Sequence, residues 1–88
     1  MHLAITGRVQ GVGFRAFVMA EARARGLRGW VRNRRDGSVE ALVIGEADEV
    51  AAMIERCKRG PRAARVDRVE TAPAADDGGG GFSAYPTV

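Results

Sequence analysis

Leu27-Arg28-Gly29-Trp30-Val31-Arg32-Asn33-Arg34-Arg35-Asp36-Gly37-Ser38-Val39-Glu40-Ala41-Leu42-Val43-Ile44 reads as two strands joined by a tight turn. The strand from Leu27 to Asn33 centres on Trp30 and Val31. The strand from Ser38 to Ile44 alternates, with Val39, Ala41 and Val43 toward one side. Between them, Asp36-Gly37 is a residue pair typical of hairpins. What flanks this hairpin decides the fold. Ahead of it, Phe14 to about Arg25 reads as a helix with an apolar face of Phe14, Phe17, Val18 and Ala22, a stripe that Glu21 and Arg25 interrupt. Gly26 is a plausible stop for that helix. Behind it, Val50, Met53, Ile54 and Cys57 recur at i, i+3, i+4 and i+7, one stripe of a second helix. Glu46, Asp48 and Glu49 crowd its start and Arg56, Lys58 and Arg59 its end, each matching the helix dipole. Gly60-Pro61 ends it.

Working outward, His2 to Gly7 is a first strand with Leu3 and Ile5 on one face, and Arg65 to Thr71 is a fourth. Ala75-Asp76-Asp77 and the glycines Gly78 to Gly81 read as a flexible link to a short edge strand, Phe82 to Tyr85. The order β-α-β-β-α-β predicts a ferredoxin-like α+β sandwich: two helices on one face of an antiparallel sheet, with a short C-terminal edge strand. Residues 1–88 are expected to form a single domain. That fold hosts many functions, so function has to be read from a site.

Composition narrows the classes. Hydrophobic residues make up 45% and charged residues 28%, which argues against wholesale disorder. The net charge is +3, and of the 14 cationic residues only Lys58 is not arginine. Arginine suits carboxylate and phosphate contacts, though an arginine-rich genome gives the same count. Cys57 stands alone, which excludes an internal disulfide and makes the cytoplasm the expected compartment. Its place in the apolar stripe reads as core. One cysteine and one histidine, His2, cannot build the usual zinc site. No apolar run approaches the roughly 20 residues of a membrane helix, and no signal-peptide pattern opens the chain.

Gly7-Arg8-Val9-Gln10-Gly11-Val12-Gly13-Phe14-Arg15 links the first strand to the first helix. Glycines let backbone N–H groups curl toward one point. A helix N-terminus adds unpaired donors and partial positive charge, and Arg15 adds a planar fork suited to two oxygens. Together they make an anion seat, with phosphate the expected anion. Gly11-Val12-Gly13-Phe14-Arg15-Ala16 fits the G-x-G-x-x-A dinucleotide fingerprint, but the acid expected about 20 residues later is missing, since Val31, Arg32 and Asn33 stand there. A Walker A loop fails for want of Gly-Lys-Ser or Gly-Lys-Thr. RNA-recognition domains share this element order, yet they need aromatic residues on the central strands. Leu3-Ala4-Ile5-Thr6 and Val39-Glu40-Ala41-Leu42-Val43 contain none.

In a split βαβ unit the first two strands run parallel with the third between them, so the Arg15 loop lies near Asn33. The Asn33 amide can orient a water but cannot act as a base. On spacing alone, that role and a purely structural one, in which Asn33 caps its strand or starts the turn, are equally supported. Arg34 and Arg35 beyond it read either as attractors of an anionic substrate or, preferably, as a solvated loop.

The stretch from Gly7 to Arg15 resembles the first signature of the acylphosphatases. Gly29-Trp30-Val31-Arg32-Asn33, with Asp36-Gly37-Ser38-Val39-Glu40 and Gly45, resembles the second, and Gly60-Pro61 with Ala64-Arg65-Val66-Asp67-Arg68-Val69 is similar to the family's stretch after helix two. The resemblance implies hydrolysis of an acyl phosphate to a carboxylate and inorganic phosphate. It implies that Arg15 and the loop, with Arg8, Val9, Gln10, Gly11, Val12 and Gly13, hold the phosphoryl group. Asn33 would then position the attacking water. It further implies no metal and no covalent enzyme intermediate. No cofactor, no nucleic-acid or membrane partner and a monomer are the accompanying expectations. The alternative is the acylphosphatase-like module that opens a much longer hydrogenase-maturation carbamoyltransferase with cysteine-rich zinc motifs. A chain ending at Val88 with one cysteine is expected instead to be a free-standing enzyme.

Overall fold

The computed structural model describes residues 1–88 and contains seven elements: β1 (His2–Arg8), α1 (Phe14–Ala24), β2 (Arg28–Asn33), β3 (Val39–Ile44), α2 (Ala47–Arg59), β4 (Arg65–Ala72) and β5 (Phe82–Ala84). The strands form one sheet in the order β4-β1-β3-β2-β5. β3 pairs antiparallel with both β1 and β2, so β1 and β2 are parallel to one another with β3 between them. β5 joins β2 in parallel, which makes an otherwise antiparallel sheet mixed. Both helices lie on one face.

Period-two alternation sorts the strand residues between the two faces. Leu3 and Ile5 of β1, Val31 of β2, and Val39, Ala41 and Val43 of β3 meet Phe14, Val18 and Ala22 of α1 and Met53 and Cys57 of α2 in one buried cluster. The back of the sheet carries the alternate positions. Trp30 lies there, outside the core cluster, stacked on Tyr85 with ring centroids 5.7 Å apart. Leu42 and Glu40 are also on the back, and both are buried.

Glu21 and Arg25, the two breaks in the α1 stripe, face α2. Arg56 of α2 donates from Nε to Glu21 Oε1 at 3.1 Å, and Arg25 Nη1 lies 3.3 Å from Glu49 Oε1. The two helices are therefore joined by ion pairs over their shared apolar floor. α1 ends at Ala24. The Gly26 N–H donates to Arg23 O at 3.1 Å and the Leu27 N–H to Ala22 O at 2.9 Å, the paired bonds of a Schellman cap closed by the apolar Leu27.

The hairpin differs in detail from its sequence signature. The Gly37 N–H donates to Arg34 O at 3.1 Å, so Arg35 and Asp36 occupy the turn centre and Gly37, with φ of 95°, follows as a bulge. Asp36 favours this arrangement because its carboxylate accepts from both the N–H (2.9 Å) and the hydroxyl (2.6 Å) of Ser38.

The glycine-rich link is tied down. Arg28 donates to Asp76 and, at 2.9 Å, to Gly79 O. Phe82 is buried in the core, and Arg23 caps its carbonyl at 3.0 Å. No helix is long and apolar enough to cross a membrane.

Candidate active site

The loop from Val9 to Gly13 connects the C-terminal end of β1 to α1. Val9 is buried in the core and Val12 packs against it, which anchors the loop from below. Gly11 and Gly13 adopt left-handed φ values of 74° and 79°, with open space where a Cβ would stand. Such residues turn successive N–H groups toward a common side. Gly13 is the N-cap of α1, and no side chain caps that end. The first intrahelical bond runs from the Phe17 N–H to Gly13 O at 3.0 Å, so the N–H groups before it have no helical partner. No acidic residue stands in the first turn of α1, whereas α2 has Asp48 and Glu49 there. One helix thus carries its own counter-charge, and the other presents bare donors.

Those donors open into a cavity of about 220 Å³ lined by Val9, Gln10, Gly11, Gly13, Phe14, Arg15, Ala16 and Asn33. Arg15 and Asn33, far apart in sequence, share its wall. Arg15 takes part in none of the molecule's ten ion pairs, so its guanidinium charge is uncompensated. No carboxylate, imidazole or thiol lines the cavity. No group of three or more His, Cys, Asp or Glu residues in the molecule could hold a metal ion.

Of the loop residues singled out from sequence, Val9, Gln10, Gly11 and Gly13 line the cavity, while Arg8 and Val12 lie outside its lining. Ala16 and Phe14 belong to the wall and were not singled out. Their place follows from the helix starting at Phe14, which turns its first residues toward the cavity mouth.

Gln10 has a role that its sequence neighbours do not reveal. Its side-chain Nε2 donates to Arg34 O at 2.6 Å and to Ser38 O at 2.9 Å, tying the loop to the β2–β3 hairpin just past Asn33. Asn33 is fixed from its other side as well. Its carbonyl accepts the Val88 N–H at 3.1 Å, and Val88 O accepts the Arg35 N–H at 2.8 Å. Arg34 is turned away from the cavity, with Nη1 3.2 Å from Glu40 Oε1. Glu40 is only 7% exposed, and its carboxylate also meets Arg32 Nε and His2 Nε2, each at 2.6 Å. Burial alone would raise its pKa, but the His2, Arg32 and Arg34 contacts outweigh that and hold it below the ordinary carboxylate range.

The comparisons with known proteins point one way. A family model described as acylphosphatase matches residues 1–84. An acylphosphatase of Nitrobacter hamburgensis is 58% identical over 93 residues, covering 99% of this chain and 94% of the relative. The crystal structure of acylphosphatase from Bacillus subtilis superposes with a TM-score of 0.91 at 40% identity, covering 96% of this chain and 94% of that one. Full-length HypF, in its phosphate- and nucleotide-bound form, matches 98% of this chain at 30% identity and a TM-score of 0.88, but over 12% of its own length.

Proposed function

The chain belongs to the acylphosphatase family, and from its hydrolysis of acyl phosphates we propose a division of labour within the cavity. The observation that carries it is the shared wall: Arg15 and Asn33 face one space floored by an uncapped helix N-terminus and free of any acid or base. The N–H groups of the loop and of the first turn of α1 hold the phosphoryl oxygens of the substrate. Arg15 grips two of these oxygens with its guanidinium fork. Asn33 accepts a hydrogen bond from a water and orients its oxygen toward phosphorus, opposite the acyl oxygen.

The new bond joins the water oxygen to phosphorus, and the bond that breaks joins phosphorus to the acyl oxygen. The carboxylate leaves with the electron pair. It is a weak base, so no acid is needed to protonate it. The water proton passes to a phosphoryl oxygen of the substrate, because no lining side chain can receive it. The catalytic work is positioning plus stabilisation of charge on the equatorial oxygens. This scheme needs neither a metal nor a covalent enzyme intermediate.

Hydrolysis of benzoyl phosphate in the presence of a chelator tests the scheme. The native protein should turn over at an unchanged rate with chelator present. Arg15→Ala and Asn33→Ala should each stay folded and lose at least about 100-fold in rate, about 3 kcal/mol of barrier, the scale of one well-placed donor for Arg15 and of lost positioning of the water for Asn33. Full activity in either folded variant would remove that residue from the mechanism.

A further inference from the structure

We propose that Glu40 is a positioning residue for this hydrolysis: from the back of the sheet its carboxylate pins the side chains of Arg32 and Arg34 and so fixes the direction in which Asn33 faces the cavity. The inference rests on the water-positioning role of Asn33. Side chains at i−1 and i+1 of a strand lie on the face opposite residue i. Arg32 and Arg34 therefore share the back of the sheet while Asn33 faces the helix side. Both arginines converge on one oxygen, Glu40 Oε1, at 2.6 and 3.2 Å, and His2 Nε2 holds the other, Oε2, at 2.6 Å. With both oxygens held, the carboxylate plane is fixed.

Asn33 is the last residue of β2, where strands tend to fray. Its two neighbours are the ones Glu40 holds. Arg32 is held a second time, with its guanidinium 4.7 Å from the centre of the Trp30 ring. Arg34 is gripped from both faces, because its carbonyl accepts the Gln10 amide of the phosphate loop at 2.6 Å. The strand end that carries Asn33 is thus coupled to the loop that holds the phosphoryl group. Stability alone does not call for a buried carboxylate here, since replacing a buried ion network with apolar side chains is often neutral or stabilising.

Glu40→Gln and Glu40→Leu, each alone and combined with Asn33→Ala, test the clamp. Inorganic phosphate serves as the probe of the seat, with its affinity and stoichiometry read by calorimetry. Glu40→Gln should lower kcat for benzoyl phosphate on the order of ten- to a hundred-fold, the scale set by small misplacements of a reacting group. Phosphate should still bind one per chain, with affinity within about twofold, because the seat is built from α1 and its loop. In the Asn33→Ala background the Glu40 changes should cost nothing further, since the two residues act as one unit. Arg34→Ala cuts the same clamp elsewhere and should reduce kcat in the same direction. An equal loss in both backgrounds would make Glu40 merely structural and overturn the proposal. So would an undiminished kcat in Glu40→Gln beside an inactive Asn33→Ala. A fully active Asn33→Ala would instead overturn the reading of Asn33, and the clamp with it.

Discussion

In the proposed scheme Arg15 and Asn33 do different chemistry because their side chains differ in charge. A guanidinium remains charged at any working pH and offers paired donors to phosphoryl oxygens. A primary amide stays neutral and can only orient what it touches. Both line a cavity without a carboxylate, imidazole or thiol, so the proposed reaction draws on the weak basicity of its own leaving group. Cys57 shows the opposite case, a reactive group silenced by its setting. Burial, with Glu21 adding to it, pushes the Cys57 thiol up to about 12. It belongs to the buried core cluster that also holds Met53 and Ala22. Iodoacetamide at about pH 8, where a free thiol is near its pKa, should therefore label Cys57 only as fast as the native fold opens, and rapidly in denaturant. Prompt labelling of the native protein would show that the thiol is accessible and ionised.

Among the elements, those with periodic signals were legible from sequence alone. The Val50, Met53, Ile54 and Cys57 stripe is α2, and the alternation of Val39, Ala41 and Val43 is the inner face of β3. The loop with Arg15 and the strand end with Asn33 were also legible, one from its glycines and the other from its place in a split βαβ unit. The remainder depends on contacts that leave no periodic trace. Glu21 and Arg25 look like faults in the α1 stripe until Arg56 and Glu49 of α2 are placed opposite them. Asp36-Gly37 marks the hairpin but not its register, because Ser38 bonding to Asp36 shifts the turn centre back by one residue. The tie from Gln10 to the Arg34 and Ser38 carbonyls joins a side chain to distant main chain, and main-chain acceptors are the same in every residue. The Glu40 cluster was hidden for a similar reason: alternation puts Glu40 on the outer face of β3 but does not say that it is buried.

Across the whole molecule, Glu40 joins β1, β2, β3 and the hairpin through His2, Arg32 and Arg34. Its folded-state pKa lies below the ordinary 4.5. A carboxyl depressed in the folded state contributes stability that is fully present above its unfolded pKa and is lost as pH falls through the folded value. The melting temperature of the native protein should therefore fall more steeply than that of Glu40→Gln between about pH 5 and about pH 3, the range in which such a carboxyl takes up its proton. Parallel acid transitions would show that the cluster adds nothing to stability. The same layout separates the two ends of the sheet. An apolar groove lined by Met1, Val50 and Ile54 lies at the opposite end from the glycine loop, away from the cavity where the proposed scheme places the phosphoryl group.

The most direct test of a phosphoryl group held by the loop and attacked by an oriented water is the fate of the water oxygen. Benzoyl phosphate hydrolysed by the native protein in water enriched in oxygen-18 should carry the label into inorganic phosphate and leave benzoate unlabelled. Label in benzoate would mean that water attacks the acyl carbon, which would contradict the roles assigned to Arg15, the loop and Asn33 alike.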